Sequence, residues 1–196
     1  MKDMLKITLS LVALFIAAGL IMGGTYMLTS PVRFKAEKKE KEEALKEMAP
    51  EATDPIKPAG NWTSHGKSYE YYVATSNGKA VAYISSAAGK GYSSYIKMLV
   101  SLDTDLKIRD LKILGHAETP GLGDQVEDRA LFLDQFKGKV FSQLKLVKAE
   151  TTENIQAVSG ATISCRAVTN GVKDAVQTLV DKYGAGLKTA AQEAAK

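Results

Sequence analysis

Residues 159–183 read SGATISCRAVTNGVKDAVQTLVDKY, a turn of small residues that leads directly into a helical pattern. From residue 164 onward the apolar side chains fall on one helical face: Val168, Val172, Ala175, Val176 and Leu179. Gly160 permits backbone dihedrals that residues with a side chain avoid. A helix that begins here offers unpaired N–H groups and the positive end of its dipole to a phosphate. The turn is therefore typical of a helix cap, with Thr162 or Ser164 accepting from the first N–H groups, and also of a phosphate site. The two are compatible, because a bound anion can replace the capping oxygen.

Upstream of this helix, the sequence pattern predicts a sheet. Strands are predicted at residues 70–75, 80–85, 95–102, 108–114 and 144–147. Asn77-Gly78 between the first two strands is a strong hairpin signal. Residues 125–136 are predicted to form a further helix, with apolar side chains spaced for one buried face. We therefore expect an α/β protein of the α+β kind, with a twisted, mainly antiparallel sheet flanked by helices.

The N-terminal part of the chain is predicted to form one transmembrane helix. Residues 7–28 contain no charged side chain and are long enough to cross a bilayer. A cleaved signal peptide is the alternative, because Lys2 and Lys6 precede the apolar run. The run is longer than the apolar part of a usual signal, and no clear cleavage site precedes Pro31, so we favour an uncleaved anchor. The flanking charges leave its orientation open, since long domains are often translocated regardless of charge.

The chain is expected to have four parts, which differ in composition. They are a transmembrane anchor at 1–30, a charged juxtamembrane stalk and linker at 31–60, a ligand-binding domain at 61–184 and a C-terminal tail at 185–196. Within the stalk, Glu37 and Lys41 have the favourable i,i+4 order of a solvated helix. Prolines then indicate a linker that separates this helix from the domain.

Composition excludes several classes of function. The formal net charge of +4 is modest and not gathered into a basic stripe, so we expect no nucleic-acid partner. Cys165 is the single cysteine, which excludes an internal disulfide, and we expect it to be buried rather than a reactive thiol. His65 and His116 lack ligand-like spacing, so no metal site is predicted. Redox chemistry in this chain would therefore need an organic cofactor.

A second glycine-rich loop, GHAETPGLGD at residues 115–124, follows a predicted strand. Such a loop presents backbone N–H and C=O groups at fixed positions, which suits the edge of a flat heterocycle. The alternative is a plain connection from strand to helix, with Asp124 as the N-cap. Glu118 and His116 suggest an acid–base pair, but no nucleophile lies nearby, so we assign no catalytic residue.

Taken together, the two loops resemble the FMN-binding domains of the Rnf and sodium-pumping NADH:quinone oxidoreductase membrane complexes. Three segments carry the resemblance: Gly91-Tyr92, HAETPGLG at residues 116–123 and SGAT at residues 159–162. An anchor, a charged stalk and a soluble domain follow one another in that family too, so the resemblance covers nearly the whole chain. It is strongest to the G subunit of the Rnf complex and next to the C subunit of the quinone-reducing enzyme.

The resemblance implies that Thr162 carries FMN through a phosphoester bond, which a dedicated flavin transferase installs from FAD. It also implies that the loop at 118–123 packs against the isoalloxazine ring, with Thr119 and Leu122 in contact. The cofactor-binding residues predicted in this way are Ser159, Gly160, Ala161, Thr162, Ser164, Glu118, Thr119, Leu122 and Gly123. One position departs from the family's pattern, because Gln156 stands where its flavinylation motif usually carries Asp.

The resemblance further implies an electron-transfer subunit of an ion-translocating ferredoxin:NAD oxidoreductase that is not catalytic alone. Its expected partners are the other membrane and iron–sulfur or flavin subunits of the Rnf complex, the flavin transferase and membrane lipid. The family places the soluble domain on the periplasmic side of the cytoplasmic membrane. The alternative within the same chemistry is the FMN-carrying subunit of the sodium-pumping quinone reductase. The alternative of another class is an anchored, non-redox module that binds a phosphorylated ligand.

Overall fold

The computed structural model describes residues 2–193, with side chains described up to residue 184. Two helices and seven strands are found in this part of the chain: α1 Lys2–Met48, β1 Pro58–Ser64, β2 Lys67–Ser76, β3 Lys79–Lys90, β4 Tyr95–Leu102, β5 Ile108–Gly115, β6 Leu146–Val147, β7 Ile155–Gln156 and α2 Thr162–Glu193. Short 3-10 helices lie at Gly123–Glu127, Leu133–Phe136 and Phe141–Gln143. The α/β architecture predicted from the sequence is confirmed.

The first five strands form one antiparallel sheet in the order β1-β2-β3-β4-β5. The hairpin between β2 and β3 turns at Asn77 and Gly78, which both have the positive φ that such a turn demands. Each following strand pairs with the one before it, so the sheet is a meander. The short strands β6 and β7 pair in parallel, and β7 leads to the turn before α2.

Helix α2 covers one face of the sheet and makes its closest approach at β3. A Cβ at Gly89 would lie 1.9 Å from the carbonyl oxygen of Ala167, so only glycine fits beneath the helix. The apolar stripe expected for this helix is fully buried, including Val168, Val172 and Leu179. This packing fixes the first turn of α2 relative to the ends of β3 and β4.

The last turns of α1 cover the opposite face of the sheet. Ala44, Leu45 and Met48 are buried against Ile84 and Leu99 among other apolar side chains. Residues 2–42 of the same helix form a separate unit, which is apolar and exposed over much of its length. Among the described residues, α1 is the one helix that is long and apolar enough to cross a membrane.

The structure differs from the sequence prediction at residues 125–136, where a single helix was expected. Two separate 3-10 helices are found instead, and Ala130, expected on the buried face, is exposed between them. The chain is interrupted at Asp128, whose backbone is extended and whose carboxylate accepts from the N–H of Leu131. Such side-chain bonds to the backbone compete with regular helix.

Strand β1 was not predicted, and helix α2 is longer than predicted. Strand β1 begins at Pro58, within the predicted linker, and lies at the edge of the sheet, where proline is tolerated. Helix α2 continues past residue 183 to Glu193, and residues 194–196 of the predicted tail lie outside the described residues.

Candidate functional site

A cleft of about 450 Å³ opens where the two glycine-rich loops meet. Its lining residues come from the turn after β3, the loop after β5 and the start of α2: Tyr92, Glu118, Thr119, Leu122, Gly123, Gly160, Ala161, Thr162, Ile163 and Ser164. Eight of the nine cofactor-binding residues expected from the sequence are among them. Ser159 is exposed and does not line the cleft. Three segments that are far apart in the sequence therefore form one concave surface.

Glu118 lies at the base of this cleft and is 5% exposed. Its Oε1 accepts from the N–H groups of Ser93 and Ser94 at 3.0 and 3.1 Å. Its Oε2 accepts from the N–H of Tyr92 at 3.0 Å and from the hydroxyl of Ser164 at 2.5 Å. One carboxylate thus holds the turn after β3 and the first turn of α2 together.

The pKa of Glu118 is set by two opposing effects. Burial raises the pKa, but the hydrogen bonds from Ser164 and from three backbone N–H groups outweigh it and leave the pKa below its ordinary value. The carboxylate is therefore ionised at neutral pH. As an acceptor with no proton to give, Glu118 does not act as a general acid in this site.

Glycines bring the backbone close to this carboxylate. A Cβ at Gly91 would lie 2.6 Å from Glu118 Oε1, and a Cβ at Gly123 would lie 2.8 Å from Glu118 Cβ. Gly160 has a φ of 81°, and a Cβ there would lie 3.2 Å from Leu122 Cδ2. A side chain at Gly91 or Gly123 would therefore displace Glu118, and a residue other than glycine at position 160 would be strained by its positive φ.

Thr162 is the first residue of α2 and is half-buried in the cleft. Its hydroxyl has no hydrogen-bond partner in the described part of the chain, and neither do the N–H groups of residues 162–164. The helix-cap alternative from the sequence is not found, because Ser164 donates its hydroxyl to Glu118. A free hydroxyl and free N–H groups at a helix N-terminus can receive a phosphate.

The rim of the cleft is apolar and exposed. Tyr92, Leu122 and Ile163 are 74%, 50% and 51% exposed. Only two other large apolar side chains in residues 43–184, Tyr95 and Leu131, are exposed. A cluster of exposed apolar side chains around a concave site is typical of a surface that binds a flat apolar ligand.

The ring of His116 contacts the backbone of the loop after β5 and does not form an acid–base pair with the Glu118 carboxylate. Its Nδ1 accepts the backbone N–H of Glu118 at 3.1 Å, so the ring proton lies on Nε2. That Nε2 lies 2.7 Å from a carboxylate oxygen of Glu127. The alternative in which Asp124 caps a helix is not found, since the 3-10 helix begins at Gly123 without a side-chain cap.

Cys165 and Gln156 flank the turn without lining the cleft. Cys165 is fully buried, as expected, and burial raises the pKa of its thiol. Its sulfur accepts from the N–H of Val158 at 3.4 Å and so supports the turn. The backbone of Gln156 is held by the side-chain amide of Gln135, with bonds of 2.7 and 3.3 Å.

Sequence reasoning missed Ile163, and it did not assign Tyr92 to the cofactor site although Gly91-Tyr92 carried part of the resemblance. The signal for Ile163 was present, because an apolar residue in the first turn of α2 falls outside the buried stripe. The three N–H donors to Glu118 carry no sequence signature. They depend on the backbone path of residues 92–94.

The chain is similar in sequence to proteins of a known family. Residues 91–177 match the family model of the FMN-binding domain. The chain is 36% identical over 184 residues to the G subunit of the proton-translocating ferredoxin:NAD(+) oxidoreductase complex of Clostridium ljungdahlii, covering 93% of this chain and 95% of that protein. It is 28% identical over 190 residues to the G subunit of the ion-translocating oxidoreductase complex of Methanosarcina acetivorans, covering 93% and 98%.

Two further matches are partial. The match to the G subunit of the Na(+)-translocating ferredoxin:NAD(+) oxidoreductase complex of Acetobacterium woodii is 36% identical over 113 residues and spans about half of each protein, 55% and 54%. The crystal structure of Shewanella oneidensis NqrC is similar with a TM-score of 0.53 and 25% identity, covering 69% of this chain and 73% of that one.

The fold, the cleft and the matched segment together define an FMN-binding domain, which follows an N-terminal candidate membrane span in the sequence. The similarity to the Clostridium protein extends over nearly all of both chains. The chain therefore belongs to the family of G subunits of Rnf-type ion-translocating oxidoreductases, and the family resemblance seen in its sequence is confirmed.

Proposed function

We propose that this protein is a membrane-anchored electron-transfer subunit that carries FMN on Thr162 through a phosphoester bond. One observation carries the proposal: the Thr162 hydroxyl is unpaired among the described residues and lies in the cleft, next to the free N–H groups of the α2 N-terminus. A phosphodiester at this oxygen keeps one negative charge, which the helix N-terminus stabilises.

Attachment is a transfer from FAD by a flavin transferase. The hydroxyl oxygen of Thr162 attacks the FMN phosphorus, the phosphoanhydride bond of FAD breaks, and AMP leaves as the hydroxyl proton is released. The half-buried position of Thr162 keeps its hydroxyl accessible to such an enzyme. Tethering serves a domain outside the cytoplasm, because the cofactor then cannot be lost to dilute solution.

The apolar rim of the cleft is the proposed binding surface for the flavin ring. Leu122 and Thr119 lie on the loop that faces the start of α2 across the cleft, and Tyr92 and Ile163 extend the apolar surface. The cleft volume of about 450 Å³ is in the range of small-molecule sites. Bound there, the flavin supplies electron transfer, and the chain supplies orientation and electrostatic environment.

Within a complex, the protein would relay electrons between other redox subunits, with ferredoxin and NAD as the overall pair. The names of its relatives in Clostridium ljungdahlii and Acetobacterium woodii state this pair for their own complexes. We place the soluble domain on the periplasmic side, with α1 in the cytoplasmic membrane lipid. The remaining membrane, iron–sulfur and flavin subunits, together with the flavin transferase, are the proposed partners.

Absorbance after denaturation tests the covalent bond. Membrane-purified protein is expected to keep its yellow flavin band through denaturation and washing, and Thr162→Ala is expected to lose it. Thr104→Ala, an exposed threonine in the turn between β4 and β5, serves as the matched control and should keep the band. A flavin that washes out of the wild type would favour a reversible phosphate-ligand module, and retention in Thr162→Ala would place the bond elsewhere.

A further inference from the structure

Glu118 is a buried anion without a cationic partner. No lysine or arginine among the described residues forms an ion pair with it, although it is only 5% exposed. A buried charge is costly unless hydrogen bonds replace its hydration. Here four donors do so, three of them consecutive backbone N–H groups.

The arrangement requires a carboxylate rather than a neutral amide. All four contacts are made by donors, so both oxygens of the side chain must accept. A glutamine at this position would turn its NH₂ group towards at least one N–H or hydroxyl donor, which leaves two donors facing each other. The geometry is therefore selective for an ionised Glu118.

The segments held by this carboxylate are the ones that line the cleft. The N–H groups belong to the turn that carries Tyr92, and the hydroxyl of Ser164 belongs to the same helical turn as Thr162. Gly91 and Gly123 leave no space for a side chain around the carboxylate. Loss of the carboxylate would release both walls of the cleft at once.

We propose that Glu118 is the positioning residue of the FMN cleft and holds Tyr92 and the first turn of α2 around the flavin. Its fixed negative charge also lowers the midpoint potential of the flavin. This inference rests on the proposed function, because the potential is that of the flavin on Thr162. Glu118 contacts the walls of the site and acts on the cofactor through them and through its charge.

The effect of the charge follows from the electron balance of flavin reduction. At neutral pH the ring takes up two electrons and one proton, so reduction adds one negative charge. A fixed, buried carboxylate at the base of the cleft makes that added charge less favourable. Removal of the Glu118 charge therefore moves the midpoint potential to a more positive value.

Glu118 and the four hydrogen bonds that it accepts from residues 92–94 and Ser164 form what we call the clamp. Hydrogen exchange tests this clamp in protein that carries no flavin. In the Thr162→Ala background, Glu118→Gln is expected to speed amide exchange of residues 92–94 by roughly tenfold or more, since each N–H loses a bond to a charged acceptor. Ser164→Ala keeps the carboxylate and should leave these amides protected while it loosens the first turn of α2. Unchanged exchange at residues 92–94 in Glu118→Gln would overturn the clamp.

Redox titration of the flavin-loaded full chain tests whether the charge of Glu118 lowers the midpoint potential of the flavin. Glu118→Gln is expected to have a more positive midpoint potential than the wild type, while Ser164→Ala, which keeps the charge, shifts it less. Glu153→Gln removes an equal charge from an exposed position outside the cleft and should match the wild type. An equal potential in Glu118→Gln and Glu153→Gln would overturn the electrostatic role.

The two sets of measurements separate this inference from the proposed function. If wild-type protein carries no flavin after purification from a flavin-transferase-containing host, the proposed function fails, and the exchange experiment still decides the clamp. If the flavin is present but Glu118→Gln changes neither exchange nor potential, the inference fails and the attachment to Thr162 stands.

Discussion

The hydroxyl of Ser164 donates a 2.5 Å hydrogen bond to the carboxylate of Glu118, 46 positions earlier in the chain. This bond joins the first turn of α2 to the loop after β5. Each segment taken separately resembles an ordinary helix start or an ordinary connection. Their contact is what creates a cleft with a free threonine hydroxyl on one side and an apolar rim around it.

Gly123 is required for this contact. A Cβ at Gly123 would lie 2.8 Å from Glu118 Cβ and 2.9 Å from Ser164 Oγ, so Gly123→Ala is expected to lower the free energy of unfolding by about 1–3 kcal/mol. Gly115→Ala is the matched control, because a Cβ there meets nothing within 4 Å. Urea titration in detergent measures both variants. Equal stability of the two would contradict the close packing around Glu118.

Glu118 gives the protein a dependence of stability on pH. Its pKa is lower in the folded state than its ordinary value of 4.5, so the unfolded chain binds more protons as the pH falls through this range. The stabilisation is complete above about pH 4.5 and is lost as the pH falls through the folded-state pKa. The free energy of unfolding of Glu118→Gln should therefore fall less than that of the wild type as the pH is lowered below 4.5. An equal fall in the wild type and in Glu118→Gln would argue against an ionised, hydrogen-bonded Glu118.

The end of α1 belongs to the folded domain. Leu45 is 5% exposed and packs on the sheet face opposite α2, so Leu45→Ala is expected to cost about 2–5 kcal/mol of unfolding free energy. Leu131→Ala, at a leucine that is 54% exposed, should change the stability by about 0.5 kcal/mol or less. Chemical denaturation of the detergent-solubilised full chain measures the difference. Similar losses in both variants would contradict the packing of α1 on the sheet.

Cys165 is expected to be inert in the folded protein. It is the single cysteine of the chain, it is fully buried, and burial raises the pKa of its thiol. A water-soluble disulfide reagent should therefore modify no thiol in the native protein and one thiol after denaturation. Rapid modification of the native protein would mean that the first turn of α2 opens readily.

Much of the fold could be predicted from local patterns. Residues 95–102 coincide with β4, and Asn77-Gly78 fixes the hairpin through its positive φ angles. Strand β1 was missed because Pro58 and Gly60 weaken its strand pattern, and an edge strand tolerates both. The end of α1 was expected to be solvated, since its charged residues obscure the apolar face formed by Leu45 and Met48.

The site was predicted in its parts but not in the contacts that join them. Sequence motifs indicated both loops, since glycines and hydroxylated residues are recognisable in a linear pattern. The clamp around Glu118 could not be predicted, because three of its four donors are backbone N–H groups that any residue except proline carries. Long-range backbone contacts of this kind depend on the packing of α2 against β3, which no local pattern specifies.

Intact-mass spectrometry of the full chain, purified from membranes, is the direct test for covalent FMN at Thr162. The wild-type protein is expected to be heavier than its polypeptide by one FMN less one water. Thr162→Ala should have the unmodified polypeptide mass, and Thr104→Ala should keep the addition. An unmodified mass for the native wild-type protein, or a modified mass for Thr162→Ala, would contradict covalent attachment of FMN at Thr162.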